Sequence, residues 1–130
     1  MKTSHIIGKA LGVAVLGFGL ALASPGLRAQ EAAPANGSEI TVTGEVLDLT
    51  CYVDHAANGE KHADCARKCI ASGLPVGIKA ADGTVYLLVG EHKPANAELA
   101  NHAAQTITVR GKYVTRDGIK LLENIEIVKS

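Results

Sequence analysis

The sequence predicts a single small domain of mainly β structure that carries a helical insertion. Three observations indicate this class. Most of the chain after residue 38 consists of short segments in which apolar and polar residues alternate. Two Asp-Gly steps, Asp82-Gly83 and Asp117-Gly118, separate such segments and predict hairpin turns. One stretch, Cys51 to Cys69, interrupts the alternation and holds all three cysteines of the chain.

Residues 1–29 have the pattern of a secretory signal peptide. A basic start is followed by an uninterrupted apolar run, Leu11 to Ala23, and then by small residues and Pro25. The run is shorter than the roughly 20 apolar residues that a membrane-spanning helix needs. We therefore expect cleavage, after Ala23 or, preferably, after Ala29, export to the periplasm or beyond the cell, and no stable membrane insertion afterwards.

The part that remains after cleavage is mildly acidic. Residues 30–130 contain ten basic and thirteen acidic side chains, a net charge of −3. Because nucleic-acid affinity depends mainly on cationic contacts to phosphate, we expect no nucleic-acid partner. Residues 30–38 are polar, small and interrupted by Pro34 and Gly37, which predicts a flexible linker. The domain is expected at residues 39–130, with a core of aliphatic residues, since the chain has no Trp and its one Phe is at position 18.

The first strand is predicted over Glu39 to Cys51. Its apolar residues change phase after Val46, so we expect a bulge or a sharp bend near Gly44. This strand would deliver Cys51 to the buried side. Asp48 and Asp54, which flank Cys51, are expected to face water.

A short helix is predicted over residues 58–73. Asn58 is the expected N-cap, and Gly73 followed by Pro75 is the expected stop. At about 100° per residue, His62, Cys65 and Cys69 project from one face of this helix.

The remaining chain predicts four more strands and one helix. The expected ranges are strands at 75–80 and 84–90, a helix at 94–104, and strands at 105–115 and 119–128. In the last strand we expect Ile119, Leu121, Ile125 and Ile127 to share a face, with Glu123 as the exception.

This order of elements resembles the OB-fold, a five-stranded Greek-key barrel with a helix between strands three and four. The resemblance covers about residues 39–128 and implies such a barrel, here with a Cys/His insertion at 51–73. The insertion also resembles a segment of small secreted bacterial proteins, in which a Cys-Tyr pair precedes a His-x-x-Cys-Ala-x-x-Cys helix and a Gly-x-Pro stop. The matching residues are Cys51, Tyr52, His62, Cys65, Ala66, Cys69, Gly73 and Pro75. This second resemblance implies that the cysteines act as a set.

Two main hypotheses follow for the cysteines. The first is a metal site of Cys51, His62, Cys65 and Cys69, with His55 as a substitute for His62, that binds zinc or copper in a sensing, storage, delivery or structural role. The second is a disulfide between Cys51 and either Cys65 or Cys69, which would stabilise an interaction module for a protein or small ligand. Thiol redox chemistry is a third, weaker hypothesis because the spacing is C-x3-C. No catalytic set is predicted.

Overall fold

The computed structural model describes residues 32–130. The predicted signal peptide and the first two residues of the predicted linker lie outside the described residues. The last linker residues lie along the fourth strand. Asn36 donates to the carbonyl of Thr115 at 3.1 Å and accepts from its amide at 2.6 Å. The amide of Gly37 donates to the carbonyl of Tyr113 at 2.8 Å.

Five strands close into a barrel, which confirms the mainly β, OB-like architecture. The strands are β1 (Glu39–Asp48), β2 (Val76–Ala80), β3 (Val85–Leu88), β4 (Thr106–Arg116) and β5 (Ile119–Lys129). They are hydrogen-bonded in the order β1-β2-β3-β5-β4, and β4 returns to β1. All pairs are antiparallel except β3 with β5. That parallel pair closes the barrel, because it joins the end of the second hairpin to the first three strands.

Aliphatic side chains fill the barrel, as the composition predicts. Residues that alternate along the strands point inward, and Tyr86 and Tyr113 contribute an edge-to-face aromatic pair with ring centroids 6.1 Å apart. The fully buried aliphatic residues of this core are Val46, Ile70, Val76, Ile78, Leu88, Leu99, Ile107, Val109 and Leu122. Ile70 and Leu99 belong to helices, so two helices also contribute to the core.

The first strand is shorter than predicted, and Cys51 is not part of it. β1 ends at Asp48, and a helix, α1 (Leu49–His55), follows directly. No bulge occurs in β1, which pairs in continuous register with β4 over residues 39–45 and with β2 over 44–48. Gly44 lies where β1 pairs with both neighbours, and a Cβ there would collide with the carbonyl of Lys79. The glycine is therefore needed for close strand approach and not for a bulge.

The helical insertion contains two helices. After α1 the chain makes a 3₁₀ turn at Glu60–His62 and continues as α2 (Ala63–Ala71). The 3₁₀ turn thus follows Gly59, with φ of +76°, one residue after the predicted N-cap Asn58, and the α-helix itself begins later, at Ala63. The predicted stop is confirmed. Gly73 has φ of +98° and donates to the carbonyl of Ile70 at 3.0 Å, a glycine-terminated helix end.

The predicted helix at 94–104 is a shorter element. It consists of α3 (Asn96–Leu99) and a 3₁₀ turn at Ala100–His102. Leu99, Ala100 and Ala103 are buried in the barrel core. Within residues 32–130, no helix has the length and apolar character needed to cross a membrane.

The face assigned to the last strand was partly wrong. Leu122 is the fully buried residue of β5, whereas Ile119 is 67% exposed. The register shifts by one extra β5 residue between the pairs Arg110↔Glu126 and Lys112↔Glu123. Asn124, with φ of +56°, lies in this bulge. A bulge reverses the alternation of inward and outward residues along a strand. Leu122 therefore points inward before the bulge, and Ile125 and Ile127 pack against the core after it.

Candidate metal centre

Asp48 positions Cys51 at the start of α1. Its carboxylate accepts hydrogen bonds from the amides of Thr50 at 3.2 Å and Cys51 at 3.1 Å, so Asp48 is the N-cap of the helix. The amide of Leu49 donates to the carbonyl of Pro75 at 2.9 Å, which ties the same turn to the chain just before β2. The backbone that carries Cys51 is therefore fixed to the barrel.

Cys65 and Cys69 lie one turn apart on α2. The neighbouring face of this helix carries Ala66 and Ile70, which are buried against the barrel core. Asn96 of α3 donates to the carbonyls of Ile70 at 2.8 Å and Leu74 at 2.7 Å and so holds the end of the helix. Packing on one side and capping at the end thus fix the direction in which the two cysteines point.

The three cysteines form one close group. The Sγ atoms of Cys51, Cys65 and Cys69 all lie within 4.8 Å of one another. None of them forms a disulfide, and Cys51 and Cys69 are half-buried whereas Cys65 is exposed. Thiolates at this separation could hold a soft metal ion together. The sequence correctly predicted that the cysteines of the helix and Cys51 converge.

The predicted histidine ligands lie beside this group. Within residues 32–130, no histidine nitrogen lies within 4.8 Å of all three sulfurs. His62 is half-buried and lines a small cavity of about 10 Å³ together with Cys51 and Cys65. His55 is exposed and its Nδ1 lies 3.1 Å from a carboxylate oxygen of Asp54. The two imidazole rings are 6.5 Å apart. His62 shares a cavity with two of the cysteines and is thus the better-placed candidate for a fourth ligand, and its role stays a prediction.

The electrostatic environment favours the protonated forms of two thiols. The pKa of Cys51 is raised from 9.0 to about 12, first by its hydrogen bond to the Asp48 carboxylate and then by desolvation. Desolvation, followed by the negative charge of Asp48, also raises the pKa of Cys69. A metal ion that binds here must therefore displace protons from thiols that hold them tightly.

Asp48 is the residue beside the cysteines whose position sequence reasoning missed. It was expected to face water, but it is only 2% exposed and is the only charged residue buried within the described chain. A signal for it exists in the sequence. Asp is a preferred N-cap, and Asp48 immediately precedes the residues that turn out to be helical.

A second acidic residue joins the insertion to the barrel. Glu45 of β1 accepts a hydrogen bond from the amide of Gly59, just before the 3₁₀ turn that leads into α2. Glu45 and Asp48 both line the cavity beside the cysteines. The cavity is therefore lined by two acidic residues in addition to Cys51 and Cys65.

Similarity to known proteins does not indicate the function of this chain. Comparisons of the chain with protein-family models, curated proteins and solved structures found no match. The geometry and chemistry of the cysteine group are therefore the basis for assigning a function. What they show directly is a three-thiol site on a barrel-supported insertion that could hold a metal ion.

Proposed function

We propose that this chain is an exported protein that binds copper or zinc through Cys51, Cys65 and Cys69. The observation that carries the proposal is the mutual approach of the three sulfurs within 4.8 Å. They come from two different helices, so the group forms only when the insertion is folded. The signal-peptide pattern of residues 1–29 supports the export part of the proposal.

The two metals place different demands on the site. Thiolates alone suit Cu⁺, so the three sulfurs are a sufficient set for it. Structural Zn²⁺ is almost always four-coordinate and would need one more donor. His62 is the proposed fourth ligand because it lines the same cavity as Cys51 and Cys65, with His55 as its substitute.

The exposure of the site favours exchange of the metal over a purely structural role. Cys65 is exposed and the other two cysteines are half-buried, so the three-sulfur group lies near the surface. Structural zinc sites are closed, whereas a site near the surface lets a metal or a competing ligand enter. We therefore favour storage, delivery or sensing, with the metal held at the surface of the insertion.

The test is metal analysis together with the intact mass of the protein purified without oxygen. One equivalent of copper or zinc, with three thiols protected from alkylation and released by a chelator, is the expected result. Cys51→Ser, Cys65→Ser and Cys69→Ser should each abolish tight binding. His62→Ala should weaken zinc much more than copper. His102→Ala is its matched control, because His102 also ends a 3₁₀ turn and is half-buried but lies outside the cysteine cavity.

The same proximity of the sulfurs supports one alternative. Two of the three could pair as a disulfide after a small movement, leaving an interaction module without a metal. A mass lighter by two hydrogens, no bound metal and one alkylatable cysteine would support that alternative and contradict the metal proposal.

A further inference from the structure

The three sulfurs form a group without any other donor. Within residues 32–130, no histidine nitrogen and no carboxylate oxygen lies within 4.8 Å of all three sulfurs. Cys65 is exposed, whereas Cys51 and Cys69 are half-buried. A three-donor set fits an ion that needs three sulfurs and no fourth ligand.

A fixed negative charge lies beside this group. Both oxygens of Asp48 accept backbone N–H bonds, and the side chain is almost fully buried. In the part of the chain that the structure describes, no Lys or Arg forms a salt bridge with it. Two backbone N–H groups hold the carboxylate in place against the thiol of Cys51, so its charge acts on whatever occupies the thiol site.

The charge of the loaded site therefore depends on the ion that binds. Three thiolates with Cu⁺ carry a charge of −2, and with Zn²⁺ a charge of −1. Three thiolates with a trivalent ion are neutral. Since a buried carboxylate repels negative charge, Asp48 disfavours the copper form most and the trivalent form least.

We propose that the site binds trivalent arsenic, supplied as arsenite, as a neutral tris-thiolate complex. This inference rests on the same three-sulfur site as the proposed function but names a different occupant. Arsenic(III) is soft and prefers sulfur, and its lone pair occupies the fourth position, so it needs no histidine.

The binding reaction balances without an oxidant or a reductant. One As(OH)₃ exchanges its three hydroxyl groups with three thiols, which gives As(S-Cys)₃ and three water molecules. Three As–O and three S–H bonds break, and three As–S and three O–H bonds form. Arsenic stays in the +3 state, and each thiol proton leaves in a water molecule. The exchange therefore releases no net proton.

The test is titration of the reduced full chain with sodium arsenite, read by native mass spectrometry and by protection of thiols from alkylation. The expected product gains one arsenic atom, loses three hydrogens and has no alkylatable cysteine. Each single Cys→Ser variant should lose about 100-fold or more in affinity, because the third thiol binds intramolecularly. Variants that bind as tightly as the parent chain would overturn three-sulfur coordination.

Two variants separate this inference from the proposed function. His62→Ala should weaken zinc binding far more than it weakens arsenite binding. Asp48→Asn, which keeps a capping oxygen, should shift the competition between Cu⁺ and arsenite toward copper by on the order of tenfold. Asp54→Asn, an exposed position on the same helix, is the matched control and should shift nothing.

The outcomes are distinguishable. Copper or zinc binding to the three thiols, without tight arsenite binding in the parent chain, would overturn the inference and leave the proposed function intact. Tight arsenite binding without copper or zinc binding would support the inference alone. An unchanged competition ratio in folded Asp48→Asn would overturn the role of its charge. Thermal unfolding of each variant establishes that the protein tested is folded.

Discussion

Asp48 links the fold to the site at the scale of one residue. It ends β1, caps α1 and places its carboxylate against the thiol of Cys51. The first two roles stabilise the folded chain, and the third acts on the chemistry. The roles can be separated because Asn retains a capping oxygen but no charge.

We expect Asp48→Ala to destabilise the metal-free protein by about 0.5–2 kcal/mol, the usual cost of losing an N-cap. Asp48→Asn should lose much less unfolding free energy, because Asn keeps a capping oxygen. Urea unfolding under reducing conditions measures both, with Asp54→Ala as the control, because Asp54 is exposed and contacts only the exposed His55. Equal effects of Asp48→Ala and Asp54→Ala would contradict the cap.

The raised pKa of Cys51 predicts how stability depends on pH. Its pKa rises from 9.0 to about 12, so the folded state holds this proton more tightly than the unfolded chain does. The resulting stability is fully present below about pH 9 and is lost as pH rises toward 12. We expect the free energy of unfolding of the metal-free protein to fall across this window, measured by urea unfolding at a series of pH values.

Cys51→Ser is the control for this prediction, because serine does not titrate in the same range. Other groups also titrate at alkaline pH, so the informative quantity is the difference between the two proteins. The parent chain should lose more stability than Cys51→Ser between pH 9 and 12. Parallel curves would show that the folded state does not hold the Cys51 proton more tightly.

At the residue scale, the sequence predicted correctly that the cysteines converge, but it did not predict the burial of the Asp48 carboxylate. Cys65 and Cys69 converge because a helical period places i and i+4 on one face, which is a local property. The burial of Asp48 depends on an insertion that covers the end of β1. That is a tertiary property, and no local pattern around Asp48 reports it.

At the scale of elements, α2 is held between two residues of the barrel domain. Glu45 accepts from the amide of Gly59 ahead of the helix, and Asn96 donates to the carbonyls of Ile70 and Leu74 at its end. The positions of Cys65 and Cys69 thus depend on side chains distant in sequence.

Asn96→Ala should therefore loosen the end of α2. It removes the donor from two carbonyls, at about 0.5–1.5 kcal/mol for each hydrogen bond. We expect faster hydrogen exchange of the α2 amides, a similar loss in unfolding free energy and weaker binding at the cysteine group. Asn101→Ala is the matched control, because the amide of Asn101 makes one long, exposed hydrogen bond of 3.4 Å to Ala97. Unchanged exchange in α2 would contradict this role of Asn96.

The element that the sequence did not predict is α1. Leu47, Leu49 and Cys51 alternate as strand residues do, and a helix of only seven residues leaves little periodic signal. Tertiary contacts determine that these residues form a helix and not a strand. The Leu49 side chain packs over Gly77, where a Cβ would collide with it. The end of α2 was predictable because Gly73 is a local signal of helix termination.

At the scale of the whole molecule, the barrel and the insertion have separate tasks. The barrel encloses the aliphatic core, whereas the helices of the insertion carry the three cysteines. The number and order of strands followed from turn signals and alternation. The inward-facing residues of β5 could not be predicted in this way. The bulge at Asn124 changes the alternation, and no glycine marks it in the sequence.

Leu122 and Ile119 test this barrel directly, because both are large aliphatic residues of β5. Leu122 is 0% exposed and pairs with Leu88 and Tyr113, whereas Ile119 is 67% exposed. Leu122→Ala should cost about 2–5 kcal/mol of unfolding free energy, and Ile119→Ala at most about 0.5 kcal/mol. Chemical denaturation of the two variants gives both values. The reverse order would mean that Ile119 faces the core, as simple alternation predicts, and that the bulge at Asn124 is absent.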